Sequence, residues 1–303
     1  MPEVPSLPPV RDGLVRPARL DRTGVTGPTP GQARGPRWRK TSRGFYVPSE
    51  VSADRVEQRI LEAAVVLPPG GAVTGWAALR WLGARWFDGT TSSGERRPVR
   101  LLISTHDVRA RPGVAVSGEG CAPRLIQTVD GVPVTQPAWS TSFEMRYATS
   151  DRAAAVVLDM AAYLDHASIA EVAAVLLGQS SWTGVPRGRA GMLLAEENSW
   201  SPQESWMRLT WVLDAGLPRP LCNVPIFDLD GRHVGTPGFG DPRDGHAGPS
   251  RRSADLALPQ RAAQAAGLAG PGRLHRLHAV RAGVPHRHRH PQRPADRVHR
   301  LCC

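Results

Sequence analysis

The composition of this chain changes abruptly at Phe239. Beyond that residue the sequence contains no Ile, Met, Thr, Asn, Tyr, Trp, Phe, Lys or Glu, whereas seven of its ten His residues lie there. A segment so poor in large apolar side chains cannot bury a core of its own. We therefore expect the folded part of this 303-residue chain to end near residue 237, and residues 238–303 to form a disordered tail.

Most of the positive charge lies in the same tail. Residues 238–303 contain 12 Arg and 4 Asp, so they carry +8 of the net charge of +11 and leave +3 for residues 1–237. A mixture of Arg, Ala, Gly, His and Pro is what a GC-rich gene yields when it is read out of frame, and we hypothesise a frameshift near codon 238. The alternating His and Arg residues over 286–290 would repel a metal ion, so we expect the tail to bind at most nucleic acid, nonspecifically.

Cysteine usage and hydropathy exclude several classes of protein. The four Cys residues are too few and too irregularly spaced for a disulfide framework or a paired zinc motif, which favours a reducing cytoplasm. The sequence has no run of about 18 apolar residues and no apolar block behind a basic start. We therefore predict a cytoplasmic protein with neither a membrane partner nor a secretion signal.

Local patterns divide the rest of the chain. Residues 1–36 are rich in Pro and show no apolar period, which predicts a disordered arm. A front lobe over 37–150 begins with a short β-prone run over 44–48, followed by a helix capped at Ser52 and a second helix that starts at Thr74. Four β-branched runs then predict a small sheet over 99–103, 114–116, 125–129 and 132–135.

Helical periodicity returns over residues 141–147, 151–164 and 168–177, and we predict a helical connector over residues 151–197. A new helix starts at Ser201-Pro202-Gln203-Glu204, where an N-cap Ser, a Pro at the first position and a Glu at the third complete a capping box. Its apolar stripe consists of Trp206, Leu209 and Leu213. Asp230-Gly231 favours a two-residue hairpin turn further on. These elements make the expected fold class α+β.

Three stretches carry a family resemblance. They are Arg43 to Pro48, Asp130 to Pro137, and Ser201 to Arg208 continuing through Gly216-Leu217-Pro218 to Asp230-Gly231-Arg232. Over residues 37–237 the chain resembles a large actinobacterial family with an AbiEi-antitoxin-like front and a very-short-patch-repair-like endonuclease domain of the PD-(D/E)XK fold. The resemblance implies that residues 198–237 begin a restriction-endonuclease-like domain, in which Glu204 is a catalytic and magnesium-binding acid and Arg208 supports it.

The other acids of that family's site are missing. After Gly235-Thr236-Pro237 the family has an Asp that opens a core strand and then a Glu-x-Asp-Gly segment. Here Gly238-Phe239-Gly240 follows, and no Glu occurs beyond Glu204. One carboxylate is too few to hold Mg²⁺, which takes several oxygen ligands. We therefore expect an incomplete nuclease domain that is inactive as translated and does not bind Mg²⁺.

A binding function is the alternative to an inactive nuclease. The resemblance implies an antitoxin-like regulator without enzymatic activity, which contacts DNA or a toxin partner through residues 37–197. Arg37, Arg39 and Lys40 are the candidate nucleic-acid contacts, since they form a basic cluster beside an aromatic residue. Trp76 and Trp81 either join this surface or lie in the core, and both interpretations stay open at this point.

Overall fold

The computed structural model describes residues 11, 13–103, 108–228, 230–241 and 246–247, and these form an α+β fold, as expected. The helices are α1 (Val56–Ala64), α2 (Trp76–Trp81), α3 (Pro137–Arg146), α4 (Asp151–Tyr163), α5 (Ile169–Gly178), α6 (Val185–Leu194) and α7 (Pro202–Leu209). The strands are β1 (Ala18–Arg19), β2 (Trp38–Ser42), β3 (Phe45–Pro48), β4 (Ala72–Thr74), β5 (Val99–Leu102), β6 (Val114–Ser117), β7 (Ile126–Val129), β8 (Val132–Thr135), β9 (Leu221–Cys222), β10 (Ile226–Phe227), β11 (His233–Gly235), β12 (Phe239–Asp241) and β13 (His246–Ala247).

The largest sheet has five strands in the order β6-β5-β4-β8-β7. Four of them, β5 to β8, are the runs that the sequence assigned to a sheet. The fifth, β4, pairs with β5 antiparallel and with β8 parallel, although the sequence placed its last residue in a helix. Ala72, Val73 and Thr74 are all 0% exposed. A strand buried on both faces lacks the alternation of polar and apolar residues that would have marked it.

Two Asp-Gly dipeptides that lie between paired strands adopt different turns. Asp130-Gly131 joins β7 to β8 as a two-residue turn, since both residues have positive φ (48° and 71°) and the flanking Val129 and Val132 pair directly. Asp230 and Gly231 do not form such a turn, because only Gly231 has a positive φ (79°) and the Asp228 N–H donates to the Arg232 carbonyl (2.9 Å). The predicted hairpin of β10 and β11 is therefore confirmed, but its predicted two-residue turn is wrong.

Trp76 and Trp81 belong to the core. Each is 1% exposed, and their indole N–H groups donate to the carbonyls of Pro98 (3.0 Å) and Val129 (2.9 Å). A buried indole whose N–H is already satisfied offers no face to DNA. The core interpretation of these two residues is therefore confirmed.

The N-terminal arm is ordered from residue 13 onward, so the prediction of disorder is wrong for residues 13–36. Leu14 is 1% exposed within the main hydrophobic cluster, and β1 pairs with β3. The side chain of Gln58 on α1 both accepts from the Val15 N–H (3.0 Å) and donates to the Val15 carbonyl (2.9 Å). The arm owes its order to these tertiary contacts, which its Pro-rich composition does not reveal. Residues 1–10 lie outside the described residues.

The predicted connector over residues 151–197 contains α4, α5 and α6. One hydrophobic cluster extends from Leu14 to Ala195, so the predicted boundary at residue 150 passes through a shared core. Gly191 allows α4 and α6 to approach closely, because a Cβ at this position would overlap Ala154. Gly residues lower helix propensity, which is why periodicity alone does not indicate α6.

The apolar stripe predicted for α7 is wrong. Trp206 and Leu213 are each 43% exposed, whereas Leu209 is 1% exposed. The buried side of α7 is centred on Arg208 as well as Leu209, and a π turn over Thr210–Asp214 follows. A π turn contains more residues than an α turn, so it rotates Leu213 away from the face of Leu209. Trp206 precedes this turn and lies off the buried side of α7.

The C-terminal strands continue past the predicted end of the fold. The strand β12 pairs with β9, where Phe239 lies opposite Cys222, and β13 pairs with β12. Residues 239–241 and 246–247 thus take part in a small antiparallel sheet. The rest of the predicted tail, and with it the frameshift hypothesis, lies outside the described residues.

We expect Cys222 to resist alkylation in the folded protein. It is 6% exposed, and burial raises the pKa of its thiol to about 12. The reactive thiolate is therefore scarce at about pH 8, where a free thiol is partly ionised. Iodoacetamide treatment followed by peptide mass spectrometry should leave Cys222 unmodified in buffer and modify it fully in guanidinium chloride. Rapid modification in buffer would show that this strand is not packed as described.

Candidate functional site

Glu204, the acid predicted to bind a metal, makes contacts within the fold. Its carboxylate accepts hydrogen bonds from the Trp200 N–H and the Asn223 side-chain amide, both at 2.9 Å. Ser201 Oγ accepts from the Glu204 N–H (3.3 Å), as the capping box predicts, but the reciprocal bond goes to Trp200 instead of Ser201. Since Asn223 also donates to the Asn198 carbonyl (2.6 Å), Glu204 ties the start of α7 to the chain after β9.

Arg208, predicted to support catalysis, forms a buried ion pair with Asp159 of α4. One guanidinium nitrogen donates to the Asp159 carboxylate (2.8 Å) and another to the Leu194 carbonyl (2.6 Å). The two charged side chains are 2% and 0% exposed. Burial raises the pKa of Asp159, and the nearby charge of Arg208 opposes that rise. Arg208 therefore fastens α7 to α4 and to the end of α6.

The three predicted nucleic-acid contacts have different roles. Arg39 donates to both carboxylate oxygens of Glu62 on α1 (2.7 and 3.0 Å) and to the Val51 carbonyl (3.1 Å). The hydrogen bonds to Glu62 raise the pKa of Arg39. Arg39 thus holds β2 against α1, whereas Arg37 and Lys40 are exposed on the surface.

A larger basic surface surrounds Arg37 and Lys40, and the sequence-based prediction missed it. Residues 13–49 contain seven Arg and one Lys against a single Asp, a net charge of +7, although residues 1–237 together carry only +3. Three strands in the order β1-β3-β2 and their loops make up this segment, which we call the basic sheet. A charge count in a short window would have found it. Its exposed cations are Arg19, Arg22, Arg34, Arg37, Lys40 and Arg43.

Two half-buried aromatic residues, Phe45 and Tyr46, lie on β3, the central strand of the basic sheet. Arg19 is paired opposite Phe45, with its guanidinium 4.9 Å from the ring centroid. Lys40 is paired opposite Tyr46, and directly opposed residues of an antiparallel pair share one face of the sheet. A cation near an aromatic face is attracted to the ring. Phe45 and Tyr46 are consecutive on β3, so the Arg19–Phe45 pair and the Lys40–Tyr46 pair lie on opposite faces of the sheet.

Asp21, the single acid of the basic sheet, accepts hydrogen bonds within its own loop. The carboxylate of Asp21 accepts hydrogen bonds from the N–H groups of Thr26 (2.9 Å), Thr23 (2.9 Å) and Val25 (3.1 Å). The bonds from Thr26 and Thr23 hold the pKa of Asp21 well below its usual range. Its charge thus faces backbone donors of the loop after β1, and the surface around it stays basic.

No family model, curated protein or solved structure matches this chain. The family resemblance therefore stays a prediction. Within the described ranges, no group of three or more His, Cys, Asp or Glu side chains could hold a metal ion. None of the helices in that part of the chain has the length and apolar character that crossing a membrane requires.

Proposed function

We propose that this protein binds nucleic acid through the basic sheet and does not cut it. The observation that carries the proposal is the net charge of +7 within residues 13–49, which form one three-stranded sheet with its loops. Exposed Arg and Lys side chains displace counterions from phosphates and supply most of the affinity of sequence-independent binding. Exposed cations lie on two of its strands, Arg19 on β1 and Lys40 on β2, and the other four lie in the adjoining loops, so several phosphates can be met at once.

Contact with the phosphate backbone fits this surface better than the reading of base edges. Many sequence-specific proteins place a helix in the major groove. In the described part of the basic sheet, the only helical segment is the three-residue 3-10 helix Gln32–Arg34. Such a segment is too short to lie along a groove. Phosphate contacts position a protein without conferring sequence preference.

The nuclease function stays a prediction of the family resemblance. Glu204 and Arg208 serve the packing of α7 in the described part of the chain. These contacts give no support to a magnesium ion at Glu204. A toxin or other protein partner also stays a prediction of the resemblance, since no observation favours it.

Neutralising two exposed cations of the basic sheet should weaken binding and flatten its dependence on salt. The variant Lys40→Gln/Arg43→Gln loses up to two phosphate contacts, so the slope of log K against log salt should fall by about 1.4–1.8. Fluorescence anisotropy with a labelled oligonucleotide over a range of NaCl concentrations measures this slope. The tail contributes equally to both proteins, so the difference reports the basic sheet.

A matched control variant has the same total charge as Lys40→Gln/Arg43→Gln. The variant Arg85→Gln/Arg189→Gln removes two exposed cations outside the basic sheet and should keep the wild-type slope. Equal slopes for all three proteins would refute the basic sheet as the binding surface.

Wild-type protein should also leave supercoiled plasmid uncut in the presence of Mg²⁺. Nicking that Glu204→Gln abolishes would instead identify a nuclease.

A further inference from the structure

We propose that the nucleic acid held by the basic sheet is single-stranded, with one unpaired base stacked against Tyr46 and flanked by Lys40. This inference rests on the proposed function, because it names the class of nucleic acid for the same surface. In a duplex the bases are already stacked on one another, so an aromatic side chain gains nothing unless a base is released. An unpaired base has both faces available to an aromatic ring.

The position of Tyr46 suits a single stacking contact. It lies on the central strand, directly opposite Lys40, which is the exposed residue of β2. The adjoining turn is open, because a Cβ on Gly44 would meet no atom within 4 Å. Under this proposal a base approaches the half-buried Tyr46 past the open turn, and Lys40 and Arg43, both exposed, contact the phosphates on either side.

The same hairpin is poorly suited to lie in a duplex groove. A β-ribbon that reads a groove presents a row of exposed residues along its length. On β2 the alternate residues on either side of Lys40 are buried, since Trp38 and Ser42 are each 6% exposed. On β2 only Lys40 is exposed, next to Tyr46 on β3. A surface of this size fits one unpaired base better than a row of stacked base pairs.

Binding of full-length protein to a labelled single strand of thymidines and to a duplex of equal length tests the inference. We expect tighter binding to the single strand. The variant Tyr46→Leu should weaken single-strand binding about tenfold and leave duplex binding unchanged, as expected for the loss of one stacked base. Tyr46→Phe keeps the ring and should bind like wild type. Denaturation midpoints of all three proteins establish that each is folded.

The outcomes separate this inference from the proposed function. If Tyr46→Leu weakens neither ligand, or weakens both equally, or if the duplex binds more tightly, the single-strand inference is overturned. The proposed function survives those results as long as Lys40→Gln/Arg43→Gln lowers the salt slope. If that charge variant changes nothing, the basic sheet is not the binding surface and both proposals fail together.

Discussion

The variant Arg208→Met should lose about 3–5 kcal/mol of the free energy of unfolding, because it removes one partner of a buried ion pair. Arg208 and Asp159 are 2% and 0% exposed and 2.8 Å apart. Without the guanidinium, the Asp159 carboxylate keeps the Glu196 N–H as a donor (2.6 Å) but has lost its counter-charge. Urea denaturation followed by circular dichroism measures the loss.

An exposed ion pair between the same parts of the fold provides the control. Arg152 of α4 pairs with Asp214 at the end of the π turn, and these side chains are 33% and 39% exposed. Because water solvates both charges, Arg152→Gln should leave the denaturation midpoint almost unchanged. The double variant Asp159→Leu/Arg208→Met removes both buried charges and should regain much of the lost stability. If Arg208→Met alone is as stable as wild type, the role assigned to Arg208 is wrong.

The Asp-Gly dipeptides at 130–131 and 230–231 show what local sequence determines and what it leaves open. Asp and Gly tolerate positive φ, so each dipeptide predicts a turn. The register of the flanking strands then decides the type of turn. Val132 and Val134 on β8 are 1% and 0% exposed, and this burial fixes the register there. Phe227 and Val234 beside the second turn are 41% and 49% exposed, so burial constrains that hairpin far less.

Periodic segments could be predicted from the sequence, whereas segments ordered by distant contacts could not. The helices α4 and α5 and the strands β5 to β8 follow from their apolar spacing. The Pro-rich arm has no such spacing, and its order depends on Leu14 entering the core and on Gln58 binding Val15 across the fold. Predicting order of this kind requires knowledge of which parts of the fold contact each other.

The same distinction applies to the residues of the candidate site. The sequence identified Arg37 and Lys40 as surface cations, because basic residues are seldom buried without a partner. It also grouped Arg39 with them, since the partner Glu62 lies 23 residues away. Arg208 is a parallel case, with Asp159 at a separation of 49 residues. Whether a charged side chain binds a ligand or holds the fold depends on such distant partners.

Removing the Glu144 carboxylate should destabilise the protein by about 2–3 kcal/mol, since it leaves the buried Trp76 N–H without its acceptor. Glu144 of α3 is 3% exposed and caps α2, because it accepts from the Trp76 N–H (2.9 Å) and from Arg97 (2.5 Å). Gly75 makes room for this contact: its φ is 63°, and a Cβ there would overlap the carboxylate. The variant Glu144→Ala takes away both bonds, and urea denaturation measures the result.

The variant Glu144→Gln separates the cap from the charge. Gln keeps an oxygen for the Trp76 N–H and loses only the ion pair with Arg97, whose side chain is 33% exposed and can turn to water. We therefore expect Glu144→Gln to be clearly more stable than Glu144→Ala in the same urea experiment. Equal losses would mean that the ion pair, and not the cap, positions α2. The distinction matters for the whole core, because α2 carries Trp76 and Trp81 into its centre.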